Sequence, residues 1–269
     1  MRKNTDFLSV AYFVFFALIM LSGTLRGVLS EAVYYLAYVI PFLLAVTLLK
    51  NDAVKKDLFS LDKSRVKLFV PVVFPTIFFI VLLSFLSSIF IFYTFGKASA
   101  VDLGENAALA ILYHAALPAI LEELLFRYLP LRFIAPHSKR YAVIFSSLAF
   151  ALVHHSFFSI PYALFAGAAF ITVDIMFDSL LPSLILHFLN NALSVIWTMW
   201  FSSGVGNVIF ASAVAALALA SLVPLILKRK AYLSRLSEIF SGKCDRYVSL
   251  GMILLVFATL FVAVYELCA

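Results

Sequence analysis

The sequence predicts an all-α, polytopic membrane protein with about eight to nine transmembrane helices and a polar chamber inside the bundle. Apolar residues make up 64% of the 269-residue chain and charged residues only 13%, which excludes an ordinary soluble domain. The apolar residues fall into long runs, most of which reach the roughly 17–25 residues that a membrane-crossing helix needs. We expect a single integral membrane domain over residues 1–269, with its motif-bearing core at approximately 105–200.

Nine apolar runs divide the chain. They cover residues 7–25, 32–49, 68–94, 107–135, 141–158, 160–177, 179–201, 205–227 and 248–267. The first run is long for the apolar part of a signal peptide and lacks a convincing cleavage site, so we expect a retained helix. Pro118 and Pro130 are expected to kink or end the long fourth run.

Basic residues lie in alternate loops. Residues 50–67 and 228–246 carry six Lys or Arg each, and residues 132–140 carry three more. Because positive residues concentrate in cytoplasmic loops, a cytoplasmic N-terminus and nine crossings place all three basic loops inside. The net charge of +6 is therefore a topology signal, and no nucleic-acid partner is expected. Cys244 and Cys268 fall on opposite sides of the membrane in this topology, so no disulfide is expected.

Charged residues interrupt the fourth run at Glu122, Glu123 and Arg127. A charge at mid-bilayer costs about 2.5–3.5 kcal/mol even on the most lenient scale, so such residues are functional candidates. Glu123 and Arg127 are four residues apart, so they share a helix face and can pair. Glu122 points about 100° away from Glu123 and stays available for other contacts.

Three further polar residues are expected at the depth of Glu122. His154 lies as far inside the fifth run as Glu122 lies from the end of the fourth, counted from the cytoplasmic side in this topology. His187 and Asn191 enter the same layer from the seventh run and share a face through their four-residue spacing. We therefore expect one polar chamber lined by all four side chains. The alternative is that each is an isolated polar residue that joins helices by hydrogen bonds.

Three sequence motifs contain these residues, namely Glu122-Glu123-x-x-x-Arg127, Phe150-Ala-Leu-Val-His154 and His187-Phe-Leu-Asn-Asn191. In this order, and in separate membrane runs, they resemble the motifs of the CaaX protease and bacteriocin-processing (CPBP) family. That family includes the type II CaaX prenyl endopeptidases, which are glutamate intramembrane proteases. The resemblance covers roughly residues 105–200. The four-residue spacing from Phe150 favours His154 over His155 as the histidine that faces the chamber.

These residue types fit peptide hydrolysis in a catalytic chamber. Desolvation makes a carboxylate a stronger base, so Glu122 can take a proton from water, as the resemblance also implies. His154 can orient the same water. His187 and the Asn191 amide can donate hydrogen bonds to the developing oxyanion. The resemblance implies that Glu123 and Arg127 hold the site in place.

Two alternatives concern the metal and the catalytic class. Glu122, His154 and His187 form a legitimate set of open-site zinc ligands, which would make the protein a metalloprotease. The Asn191 amide is a poor zinc ligand and a good oxyanion donor, which favours a site without cofactor. No His-Glu-x-x-His, Gly-x-Ser-Gly or Gly-x-Gly-Asp motif is present. Asp174 and Asp178 are better explained as a helix cap or as interfacial residues than as an aspartyl dyad.

The resemblance implies a prenylated or otherwise membrane-anchored protein or peptide as substrate. It also implies the plasma membrane of a prokaryote or the endoplasmic reticulum of a eukaryote. A non-catalytic partner in bacteriocin immunity is an alternative, since some relatives have that role. A transporter with Glu122 and His154 as a proton relay is another. Transporters of this kind show paired broken helices in two halves, and the sequence has no such internal symmetry.

Overall fold

The computed structural model describes residues 1–49, 57–95, 103–104, 106–154, 159–241 and 248–268, and all regular structure within them is helical. The helices are α1 (Arg2–Thr24), α2 (Val28–Leu48), α3 (Lys63–Phe95), α4 (Ala107–Phe133), α5 (Lys139–Leu152), α6 (Ser159–Phe177), α7 (Leu181–Phe201), α8 (Gly204–Leu227), α9 (Arg229–Phe240) and α10 (Leu250–Cys268). The all-α prediction is confirmed. His155 and Cys244 lie outside the described residues.

Seven helices of the described chain are long and apolar enough to cross a membrane, namely α1 to α4 and α6 to α8. The protein is therefore an integral, multi-pass membrane protein. The predicted runs match the helices to within a few residues, except that α5 ends at Leu152 after 14 residues. A helix of this length is roughly 21 Å long, which is shorter than the roughly 30 Å of bilayer hydrocarbon. Helix α10 has 19 residues, Leu250–Cys268.

Helix α5 ends early because its last carbonyls have other partners. The His154 ring bonds the carbonyl of Phe150 through Nδ1 at 2.7 Å. The Thr259 hydroxyl of α10 donates to the carbonyl of Leu152 at 2.9 Å. The last carbonyls of a helix lack backbone donors, so side chains that supply donors stabilise the helix end. Hydropathy alone predicted a longer helix because it does not register these hydrogen bonds.

Two π-helical turns interrupt α4, at Leu112–Ala116 and Leu124–Tyr128, and each ends two residues before a proline. Neither proline ends the helix, which continues past both; the other expectation, a kink, stays a prediction. A proline has no N–H, so the carbonyl four residues earlier loses its helical partner. For Pro130 this carbonyl belongs to Phe126, which accepts a hydrogen bond from the Ser146 hydroxyl instead.

Contacts along the chain divide it into two compact units. Unit 1 contains Met1–Asp57, Leu121–Ile171 and Ile239–Ala269, and unit 2 contains Leu58–Ile120 and Thr172–Glu238. In unit 1, α1 packs against α2 and α10, while α5 packs against α10 and the second half of α4. In unit 2, α3 packs against α7 and α8, and α7 packs against the first half of α4.

Small and polar residues join α1 to α10 in unit 1. The Ser249 hydroxyl donates to the Ser9 hydroxyl, and both residues are buried. A Cβ at Gly251 would lie 2.8 Å from the Ser9 backbone, so only glycine permits this approach. The Asn4 amide on the same α1 donates to the carbonyl of Phe133 at 3.1 Å. These contacts hold the two ends of the chain together around the end of α4.

In unit 2, a set of hydrogen bonds fixes the turn before α7. The buried Asp174 carboxylate accepts from the Ser183 amide at 2.9 Å and so caps the start of α7, as the helix-cap prediction requires. The Leu58 carbonyl accepts from the Leu180 amide at 2.7 Å and from the Ser179 hydroxyl at 3.2 Å. These bonds set the position of the helix that carries His187 and Asn191.

Candidate functional site

The predicted ion pair of α4 is present and fully buried. Arg127 Nε lies 3.4 Å from Glu123 Oε2, and both side chains have no solvent exposure. Moving two charges out of water costs several kcal/mol per ion, so a pair of this kind needs close and well-placed neighbours. The four-residue spacing therefore places the pair, and tertiary packing has to stabilise it.

Aromatic rings supply that packing around Arg127. Its Cζ lies 3.9 Å from the centre of the Phe150 ring and 5.2 Å from that of Phe170. A guanidinium over an aromatic face is attracted by the ring's quadrupole, and the attraction strengthens when water is excluded. A Cβ at Gly167 would lie 3.2 Å from Phe150, so this glycine lets α6 approach the ring closely. Phe150, from the second motif, thus packs against Arg127 of the first motif and stabilises its ion pair.

Glu122 has different surroundings from Glu123. Its side chain is partly exposed, and its Oε1 accepts a hydrogen bond from the Tyr38 hydroxyl of α2 at 3.4 Å. The Tyr34 hydroxyl lies 3.4 Å from that of Tyr38. Tyr38 itself is only 5% exposed, so its hydroxyl depends on protein partners. Glu122 therefore remains an accessible carboxylate with a neutral hydroxyl donor beside it.

The hydrogen bond of His154 determines which ring nitrogen can act as a base. Its Nδ1 lies 2.7 Å from the Phe150 carbonyl, and a carbonyl can only accept. Nδ1 therefore carries the proton, and Nε2 of the neutral ring carries the lone pair. The Phe150 and His154 rings meet edge to face, with 4.6 Å between centroids. This arrangement fixes the ring so that Nε2 can take a proton, orient a water molecule or bind a metal.

The backbone of α4 beside Glu122 is fixed from two other helices. The Tyr12 hydroxyl of α1 donates to the Leu125 carbonyl at 2.9 Å, and the Ser146 hydroxyl of α5 donates to the Phe126 carbonyl. Both carbonyls belong to a π-helical turn, a form that is frequent at functional sites. The two donors thus hold the turn that follows Glu122 and Glu123.

The other two predicted site residues lie in unit 2. His187 is 5% exposed and Asn191 is partly exposed, one helical turn further along α7. The Asn190 amide donates to Asn191 Oδ1 at 3.2 Å, which leaves the amide nitrogen of Asn191 as the end that can donate to a ligand. Since Glu122 and His154 belong to unit 1, the meeting of all four residues in one chamber stays a prediction.

The zinc alternative stays a prediction that experiment has to test. Within the described residues, no three His, Cys, Asp or Glu side chains are grouped to hold a metal ion. With Nδ1 bonded to the Phe150 carbonyl, Nε2 is the His154 atom that would ligate a metal or accept a proton from water.

Sequence reasoning missed four residues that support the site: Tyr12, Tyr38, Ser146 and Thr259. Tyr38 donates its hydroxyl to Glu122, Tyr12 and Ser146 donate theirs to the π turn that follows it, and Thr259 donates to the helix end beside His154. Tyr38 had a detectable signal, because it lies mid-way along an apolar helix, where a hydroxyl needs a partner. The sequence does not indicate which helix provides that partner.

Comparison with known proteins confirms the predicted resemblance over the motif-bearing part of the chain. Residues 104–193 match the family model described as "Type II CAAX prenyl endopeptidase Rce1-like". This segment contains all three motifs. No curated protein and no solved structure matches the chain.

Proposed function

We propose that this membrane protein with an Rce1-like segment is an intramembrane endopeptidase that cleaves near the C-terminus of membrane-anchored proteins or peptides. Substrates of the CaaX type, with a prenyl group on cysteine, are the best-defined class. The contrast between Glu122 and Glu123 carries the proposal. Glu123 is sealed in an ion pair, whereas Glu122 is partly exposed next to a hydroxyl donor. In this proposal Glu123 has a structural role and Glu122 is the catalytic acidic residue.

Glu122 and His154 activate the water in this proposal. The Glu122 carboxylate takes a proton from water while His154 orients that water through Nε2. The resulting hydroxide attacks the scissile carbonyl carbon, which forms a new C–O bond and places a negative charge on the carbonyl oxygen. When this intermediate collapses, the C–N bond breaks, and the proton held by Glu122 passes to the leaving amine. Glu122 is then a carboxylate again.

His187 and Asn191 stabilise the oxyanion. Each offers an N–H to the oxygen that becomes negative, and such bonds strengthen in the transition state. The hydrogen bond from Asn190 orients the Asn191 amide for this role. Glu123 and Arg127 do not react; their buried pair fixes the rotation of α4, so that Glu122 faces the chamber.

The first experiment compares two substrates. Purified protein is incubated with a farnesylated CaaX peptide and with its unprenylated twin, and the products are measured by mass spectrometry. We expect cleavage of the farnesylated peptide. Glu122→Gln should abolish cleavage and retain binding, because the amide is nearly isosteric but cannot take the proton. A folded wild-type protein that binds these peptides without cleaving them would instead support a non-catalytic partner.

The second experiment separates the metal-free mechanism from the zinc mechanism. Asn191→Ala should lower kcat by about 10²–10³ with little change in affinity if the amide stabilises the oxyanion. The zinc mechanism predicts stoichiometric metal that tracks activity and is lost in His154→Ala and in His187→Ala. Elemental analysis of extensively chelated enzyme, together with its activity, decides between the two.

Orientation belongs to the same proposal. The charge distribution puts the basic loops on the cytoplasmic side, where a cytoplasmic substrate tail would enter. Membrane-impermeant thiol reagents test this at the native Cys244. We expect labelling from the cytoplasmic side; labelling of Cys244 only from the outside would show that the proposed orientation is wrong.

A further inference from the structure

Tyr38 of α2 contacts the proposed base, although it lies outside the three motifs and outside the segment that matches the family model. Tyr38 is a buried residue in the middle of a helix long enough to span the membrane. The partners of the Tyr38 hydroxyl are Glu122 Oε1 and the Tyr34 hydroxyl, at 3.4 Å each. A tyrosine in this position is expensive in hydrocarbon unless its hydroxyl is bonded, so the contact has a structural reason to persist.

Two aromatic rings pack against the ring of Tyr38. It meets the Phe15 ring of α1 at 4.7 Å and the Tyr34 ring at 5.4 Å, both edge to face. Aromatic pairs in this geometry are favourable beyond their buried area. The position of the hydroxyl is therefore set by packing, and the Glu122 carboxylate adjusts to it.

The same packing extends to His154. Phe15 meets Phe126 at 5.4 Å, and Phe126 meets Phe150 at 5.7 Å. Phe150 in turn contacts the His154 ring. A continuous series of rings thus runs from the hydroxyl donor of Glu122 to the proposed partner of the water. Both groups are positioned by one aromatic layer of unit 1.

We propose that Tyr38 is a positioning residue for Glu122, with Tyr34 as its support. Tyr38 holds Oε1 and thereby sets the orientation of the carboxyl group toward the water. The inference rests on the proposed function.

Tyr38→Phe removes the hydroxyl and keeps the ring packing. Steady-state kinetics on the farnesylated peptide should show kcat reduced by about tenfold or more, the loss expected for a hydrogen bond to a charged group. KM should stay near the wild-type value, because Tyr38 acts through Glu122. Tyr34→Phe should have the same effect to a smaller degree. An unchanged kcat in Tyr38→Phe would overturn the proposal.

Ser9→Ala is the control. Ser9 is also buried in unit 1, and its hydroxyl bonds the Thr5 carbonyl and the Ser249 hydroxyl rather than Glu122. Its removal should lower the melting temperature and leave kcat close to that of the wild type. If both variants lose kcat in proportion to melting temperature, Tyr38 is only a structural residue and the proposal fails.

A double-mutant cycle tests the contact without any substrate. Tyr38→Phe should change the melting temperature less in a Glu122→Gln background than in the wild type, because the charged acceptor is already gone. Additive changes would overturn the proposed contact. If the wild type cleaves no peptide, the proposed function fails by itself, and this cycle still decides whether Tyr38 and Glu122 are coupled.

Discussion

Glu122 and Glu123 are neighbours in sequence with opposite surroundings. Glu123 has no solvent exposure and pairs with Arg127 inside a layer of aromatic rings. Glu122 is partly exposed and receives a hydrogen bond from a neutral tyrosine. The rotation of about 100° between successive helical residues is enough to separate the two environments.

The difference shows how one helix can supply both a structural and a reactive acid. A carboxylate beside a cation in a dry site is held in its charged form and is not accessible to water. A carboxylate beside a hydroxyl and partly open space can exchange a proton. The surroundings from α1, α2, α5 and α6 make this distinction, and the amino-acid type does not.

The strongest test makes the same substitution at both positions. Glu123→Gln should lower the free energy of unfolding by about 3–5 kcal/mol, because it leaves the Arg127 charge buried without a counter-ion. Glu122→Gln should leave stability close to that of the wild type and remove activity. Thermal unfolding in detergent measures the first effect. Similar melting temperatures for the two variants would remove the proposed division of roles.

A second test crowds the ring that covers Arg127. Gly167→Ala places a methyl group 3.2 Å from Phe150 and from the Ser147 backbone. Overpacking of this kind costs about 1–3 kcal/mol. Gly23→Ala is the matched control, since a Cβ there meets nothing within 4 Å, and it should be neutral or stabilising. Equal stability of the two variants would mean that α6 does not hold the ring.

A third test loosens the helix end beside His154. Thr259→Val keeps the side-chain shape and removes the donor to the Leu152 carbonyl. We expect a loss of about 1 kcal/mol in stability, together with a lower kcat. Thr47→Val is the control, because Thr47 donates only within its own helix. If Thr259→Val and the control have the same kcat, α10 does not support the site.

The smallest effect is expected at the other arginine of α4. Arg132 lies over the Tyr128 ring at 5.6 Å and is partly exposed. Arg132→Ala should cost at most about 1 kcal/mol, the value of a cation–π contact near solvent. Cleavage should be unaffected. A loss of stability as large as that caused by Arg127→Ala would show that burial does not distinguish the two arginines.

Hydropathy predicted the helices of this molecule, and local spacing predicted a contact inside one of them. The Glu123–Arg127 pair follows from two residues on one helix, and helix geometry does not depend on the rest of the fold. The end of α5 was predicted too late because His154 and Thr259 cap its carbonyls. Pro130 does not end α4 where it occurs, because a π turn and Ser146 accommodate it.

The supporting residues required tertiary information. Tyr38 and Glu122 are 84 positions apart, and the apolar pattern of α2 does not indicate which of its faces meets α4. The same holds for Tyr12 and Leu125. Lipid-facing and protein-facing sides of a membrane helix are both apolar, so periodicity carries little information about neighbours here.

The bond between Ser9 and Ser249 also has a consequence for biosynthesis. The two residues are separated by 240 positions. At about 5–20 residues per second, a ribosome needs on the order of 10–50 s to make the chain between them. During that time Ser9 of α1 has been inserted without its partner Ser249. The unit that contains Glu122 therefore closes only after α10 enters the membrane, which makes its assembly a post-insertion event.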